Sequence, residues 1–320
     1  MRTPSAFRPA PWAPAYSAWV GAARKRPAIW RLLLGLAVVV LTWSAATIAV
    51  VALPLVILSL QRGQSIGEIS QQMDFIEALS VLPAGQQSVL VLLSFSGIWI
   101  GVWLAVRLFH RRGIASVLSG IGRWSWGHFW LGFAVAGGFA LCLILLVLAT
   151  GGEGLPAEVN PLAWGLLIIP MFLAVFVQAA GEELMFRGYM QQQLAARFRH
   201  PAVWILIPAL IFGILHGGSD WRGLAYIAIT AMIGIVTALT VWRTGSLAAA
   251  MGLHLGNNFS AFLVLGPEAL PRMLQDPDIA KSMLTPTAVA IDMGFYFLLA
   301  VLLISRWNPL RPVSRSRRGG

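Results

Sequence analysis

The chain has 320 residues, of which 58% are hydrophobic and only 11% charged, against about 25% charged in an ordinary soluble protein. That balance excludes a soluble globular domain and points to an all-α, polytopic membrane helical bundle. The formal net charge of +11 calls for no nucleic-acid partner, because basic clusters beside membrane spans are expected to face the anionic headgroups of the bilayer.

In chain order, residues 1–30 form a basic, proline-containing N-terminal segment. The apolar run that follows, 32–58, is too long for the core of a cleavable signal, so the start of the chain is expected to be an uncleaved anchor. Ile66, Ile69, Met73, Ile76 and Leu79 then recur at helical spacing among polar residues, the pattern of a surface helix on the outer leaflet. Further runs near the roughly 20 residues needed to span fall at 87–109, 127–150, 162–186, 201–217, 223–242, 246–266 and 286–305. With 32–58 they make about eight transmembrane helices. Between the second and third, Ile114, Val117, Leu118 and Ile121 predict a second surface helix, on the inner side. Trp124, Trp126, Trp204, Trp242 and Trp307 cluster near the predicted interfaces, where amphipathic rings act as anchors. The single cysteine, Cys142, rules out an intrachain disulfide. The organisation is therefore a basic cytoplasmic segment (1–30), a membrane domain (31–305) whose candidate-site region covers about 162–266, and a basic cytoplasmic tail (306–320). Within the tail, Ser314–Arg318 has a second possible use as a dock for a cytosolic partner.

Charge asymmetry sets orientation. If both termini are cytoplasmic, 19 of the 23 basic residues fall inside, leaving Arg62, Arg222, Arg272 and Lys281 outside, which is the positive-inside pattern. Nine of the 12 acids fall outside, and only Glu182, Glu183 and Asp292 remain in or beside apolar spans. Twenty-one Arg against two Lys fits a GC-rich bacterial genome, and hence a bacterial cytoplasmic membrane.

A carboxylate near the bilayer centre costs roughly 2.5–3.5 kcal/mol, so intramembrane acids are functional-site candidates by default. Glu183 and Arg187 are four apart and can pair on one helix face. Phe212 and His216 repeat the spacing, which lets the phenyl ring wall one side of the imidazole, and His254 and Asn258 repeat it again. Glu182 points away from the arginine's face and is left free for chemistry. Glu182 lies 17 residues before Arg199, and His216 lies 17 after it. Two continuous helices meeting at that turn would put both side chains at one depth. His254, 11 residues beyond Arg243, would sit nearer the inner face. Gly213, Gly217, Gly252 and Gly256 would let these helices approach closely.

The ordered motifs Glu182-Glu183-Leu-Met-Phe-Arg187, Phe212-Gly-Ile-Leu-His216 and His254-Leu-Gly-Asn-Asn258 resemble those of the CPBP family, which holds the type II CAAX prenyl endopeptidases and bacterial proteins tied to bacteriocin immunity. The similarity covers about 80 residues, Gly181 to Phe259, and Asn257 beside Asn258 leaves open which amide acts. It implies an intramembrane glutamic endopeptidase without a cofactor. By the same resemblance, Glu182 is the general base, His216 helps bind and orient the attacking water, and His254 and Asn258 stabilise the oxyanion. Glu183 and Arg187 hold the helix and tune the site. The substrate would be a peptide or membrane protein; prenylation and oligomeric state are open.

Other accounts compete. Glu183–Arg187 could serve as a structural clamp alone, and His216 or His254, taken singly, could be a satisfied interior histidine. Glu182, His216 and His254 could form a zinc-binding set, although no His-Glu-x-x-His helix is present. A transporter also uses buried Glu, Arg and His, but such folds carry internal repeats that this sequence lacks. A non-catalytic immunity or scaffold protein is a third class. His110, His128 and His200 lie near predicted interfaces and are expected to be inert. Asp292 has no assigned partner.

Overall fold

The computed structural model describes residues 13–150, 161–266, 269–276 and 284–310. Among them the chain is helical, and the one extended pairing is an isolated bridge between Ser119 and Ser246. In order, the helices are α1 (Ala13–Arg24), α2 (Ile29–Arg62), α3 (Ile66–Gln72), α4 (Phe75–Leu79), α5 (Ala84–Leu93), α6 (Ser96–Leu108), α7 (Ala115–Leu118), α8 (Trp126–Ala149) and α9 (Pro161–Glu183). A π-helical stretch, Leu184–Met190, leads into α10 (Gln191–Arg197), followed by α11 (Pro201–Ile214), α12 (Trp221–Thr244), α13 (Ala248–Leu265), α14 (Ala269–Gln275) and α15 (Pro286–Ile304).

Seven of these units are long and apolar enough to cross a membrane: α2, the α5–α6 stack, α8, the continuous stretch from α9 through α10, α12, α13 and α15. The expected eighth, at 201–217, is α11, which has only 14 residues. At 1.5 Å per residue it spans about 21 Å, short of a hydrocarbon core about 30 Å thick. The span expected to stop at residue 186 instead continues through Arg197. The expected outer surface helix is two short helices, each started by a capping box: Ser65 with Glu68, and Asp74 with Glu77. The second surface helix shrinks to the four residues of α7.

Glycines set the closest approaches. A Cβ at Gly252 or Gly256 of α13 would collide with the carbonyls of Phe129 and Phe133 on α8, so these two helices touch backbone to backbone, as small residues permit in membranes. Gly213 and Gly217, on α11 and just beyond it, lie against the carbonyls of Ile227 and Gly223 on α12, at 2.6 and 2.5 Å from where a Cβ would sit.

The N-terminal segment is not a loose polar end from Ala13 onward. Trp19 of α1 is fully buried and donates its indole N–H to the Val117 carbonyl at 2.7 Å, while Gln192 donates to the carbonyls of Trp19 and Ser116 at 2.7 and 2.8 Å. Tyr16 packs on Trp204 at 5.2 Å between ring centroids. Trp204 is therefore a core residue under α1, whereas Trp126 and Trp307 are exposed, as interface anchors require. Arg2, Arg8, Glu153, Glu158, Glu268, Asp278, Lys281, Arg311 and the Ser314–Arg318 dock lie outside the described residues.

Candidate functional site

The site is built where α9 changes pitch. Glu182 and Glu183 end the α-helical part, and Leu184–Met190 follow with π geometry and every side chain buried. Insertions of this kind are rare and concentrate at functional sites. Arg187 sits inside the widened turn, fully buried, with Nη1 3.1 Å from Glu183 Oε1. Its guanidinium carbon lies 4.4 Å from the centre of the Phe212 ring, a cation–π placement. Gly234 on α12 makes room for it, since a Cβ there would lie 2.7 Å from Arg187 Nη2.

His254 on α13 faces both glutamates. Its Nδ1–H donates to Glu183 Oε1 at 3.0 Å, and its Nε2 lies 3.5 Å from Glu182 Oε2. One oxygen of Glu183 thus holds Arg187 and His254 together. The second oxygen of each glutamate and all three guanidinium nitrogens lack a well-aligned hydrogen bond within the described protein. Buried groups in that state normally hold internal water.

Phe212 stands between the histidines, its ring centre 4.4 Å from that of His216 and 5.7 Å from that of His254. His216 is half-buried, and its Nδ1–H donates to the Phe212 carbonyl at 2.7 Å, leaving Nε2 as the free nitrogen. The depth count placed Glu182 level with His216, but the direct neighbour of Glu182 is His254. The difference has a local cause: α11 ends at Ile214, so His216 sits in the turn beyond it. Glu182, His216 and His254 therefore do not close into a zinc set. Among the described residues no three His, Cys, Asp or Glu gather as a metal site, and both nitrogens of His254 already face carboxylates. These residues do not fit a zinc ion.

Asn258 donates to Gln178 Oε1 at 3.0 Å and accepts from Asn257 at 3.1 Å; Asn257 in turn accepts from the Tyr296 hydroxyl at 3.0 Å. Asn258 therefore faces α9 at Gln178, four residues before Glu182, while Asn257 faces α15. Gln178 and Tyr296 escaped the sequence reading. Gln178 had a signal, an amide inside an apolar span four residues before Glu182; Tyr296, in a different helix, had none. The remaining predicted residues lie apart. His200 caps α11 by accepting from the Ala202 N–H at 3.3 Å, and Asp292 is half-buried one turn before Tyr296. His110 is buried, between the Arg26 carbonyl and the Tyr189 hydroxyl.

An integral membrane helical protein with a buried two-glutamate, arginine and histidine cluster and an adjoining amide chain is the class that fold and site define. Residues 164–260 match the family described as Type II CAAX prenyl endopeptidase Rce1-like. The family read from the three motifs is borne out for this region, and that family is one of proteases. A curated relative, "Uncharacterized protein YyaK" of Bacillus subtilis (strain 168), is 27% identical over 166 residues, which cover 49% of this chain and 54% of that protein. The chain thus spans about half the length of the curated relative it matches. No solved structure matches.

Proposed function

We propose that the protein is an intramembrane glutamic endopeptidase of a bacterial cytoplasmic membrane; seven crossings put the two ends of the membrane domain on opposite sides, and both ends inside requires α11 to complete an eighth. The observation that carries this reading is Glu182: a buried carboxylate 3.5 Å from His254 Nε2, with that same oxygen otherwise unpartnered, one turn from the Gln178–Asn258 amide pair. Glu182 takes a proton from a water held with the help of His216 Nε2. The hydroxide attacks the scissile carbonyl, and the resulting oxyanion accepts hydrogen bonds from His254 and from the remaining N–H of Asn258. Collapse expels the amine, which receives the proton from Glu182. A donor of this kind typically contributes about 2.7–4 kcal/mol to the transition state. Glu183 and Arg187 fix His254 and neutralise the cluster. The substrate is a peptide or membrane protein; the prenylated tails in the family's name are one class to test.

The test compares C-terminal and membrane peptides in cells carrying wild type or Glu182→Gln, followed by cleavage of the candidates by purified protein in liposomes. Cleavage lost in Glu182→Gln, with an unchanged melting midpoint, supports the assignment. Equal cleavage by both proteins ends it. Activity that vanishes on exhaustive chelation and returns only with zinc would also overturn it.

A further inference from the structure

Away from the glutamates, four arginines come together without an acid. The turn between α1 and α2 carries Arg26, the first turn of α2 carries Arg31, and the turn after α6 carries Arg111 and Arg112. Two contacts staple the turns to each other: Arg31 Nη1 donates to the Phe109 carbonyl at 2.7 Å, and His110 Nδ1 lies 3.2 Å from the Arg26 carbonyl. Arg112 uses one nitrogen to donate to Ser116 Oγ at 2.9 Å, while its Nε and Nη2 are buried and unpartnered. The carboxylate contacts of Glu182 and Glu183 do not reach this cluster. Arg26, Arg31 and Arg111 act on one another, and Arg112 acts on the neighbouring imidazole: Arg26 is pushed down by burial and then by Arg111 and Arg31, and His110 is pushed down to about 4 by burial, then Arg112, Arg31 and Arg26. Like charges packed this way are costly unless an anion joins them.

We propose that Arg26, Arg31, Arg111 and Arg112 form a binding site for the headgroup phosphate of an anionic phospholipid. A lipid rather than free phosphate is favoured by where the cluster lies. It caps the adjoining ends of two membrane-spanning units, α2 and α5–α6. The surface next to it is apolar and exposed, with Trp30, Leu33, Leu34 and Leu108 placed to receive acyl chains. Arg31 is pre-set, its guanidinium carbon 4.5 Å from the centre of the Trp30 ring. Planar guanidiniums hold phosphate oxygens through paired N–H donors, and the buried nitrogens of Arg112 supply such donors already stripped of water.

The full-length protein is placed in nanodiscs of phosphatidylcholine, with or without phosphatidylglycerol. Its melting midpoint is recorded, and retained lipid is read by native mass spectrometry. Wild type should melt higher with phosphatidylglycerol and carry it into the gas phase. Arg26→Gln/Arg111→Gln should melt no lower than wild type in phosphatidylcholine, because repulsion is relieved, but should lose the gain and retain the anionic lipid about fivefold more weakly per guanidinium removed. Arg62→Gln, at the opposite end of α2, should keep the gain. The site is refuted if the double variant keeps the lipid as wild type does, or melts lower by the same amount in both membranes. A gain reproduced by inorganic phosphate in plain phosphatidylcholine refutes the lipid as its occupant.

Discussion

Glu183→Gln is the sharpest test of the buried charge cluster. The substitution keeps the shape of the side chain and removes the charge whose Oε1 meets Arg187 at 3.1 Å and His254 at 3.0 Å. Arg187 is fully buried, and the ring of Phe212 is its other close neighbour. The change therefore removes the carboxylate in direct contact with Arg187 and leaves Glu182 alone to balance it, and breaking a buried pair by removing one partner costs about 3–5 kcal/mol. Because Arg187 is what the lost charge was balancing, Glu183→Gln/Arg187→Gln should cost less than the sum of the single changes, with a coupling of about 0.5–3 kcal/mol. The measurement is the unfolding midpoint in mild detergent, followed by tryptophan fluorescence, for wild type, both singles and the double. Glu182→Gln serves as the reference and should lie within about 1 kcal/mol of wild type, since a neutral amide meets His254 without leaving a fixed cation unpaired. A cost below about 1 kcal/mol for Glu183→Gln, or strict additivity in the double, would refute the cluster as a charge-balanced unit.

Gln178→Met should lower kcat about tenfold with little change in KM, because Asn258 loses the acceptor that aims it; Gln178→Glu keeps that acceptor and should recover most of the rate in the same peptide assay. Gly256→Ala forces α13 away from the Phe133 carbonyl on α8 and should lower stability by about 1–3 kcal/mol, read as an earlier thermal midpoint. His110 has its pKa pushed down from 6.5 to about 4, by burial first and then by the neighbouring arginines, so the folded protein holds it neutral while the unfolded chain takes up a proton below 6.5. Its contribution is intact above pH 6.5 and is lost as pH falls towards 4. His110→Gln should therefore show a smaller stability loss than wild type across that window, and equal slopes for the two proteins would refute the assignment.

Most of the fold was written in hydropathy, because a span in lipid must be both long and apolar and so leaves a coarse signal. The failures were at places where packing rather than solvent decides. Residues 201–217 are as apolar as a spanning helix, yet α11 is only 14 residues long, since Gly217 and Gly218 release the chain into a turn against Gly223 of α12. The N-terminal segment reads as a basic tail, yet Tyr16 and Trp19 turn one face of α1 into core. Its two aromatics were the available hint, and nothing in their spacing named Val117 or Trp204 as partners.

The site was legible for the same reason that membranes are informative: charge in an apolar run demands a partner, so Glu183, Arg187 and His254 announce themselves. Which groups meet was not legible, because counting residues from a turn assumes an unbroken α-helical phase. The π stretch at Leu184–Met190 and the end of α11 at Ile214 each break that phase, and together they bring His254 rather than His216 against Glu182. The amide chain was hidden for another reason. Gln178, Asn257, Asn258 and Tyr296 come from three helices and satisfy one another by hydrogen bonds, a constraint that acts only after the helices have packed. Glu182 lies between the charged cluster and the amide chain, so the two halves of the site are assembled by different forces. Electrostatic pairing fixes the half that sequence reveals, and helix packing fixes the half that it conceals.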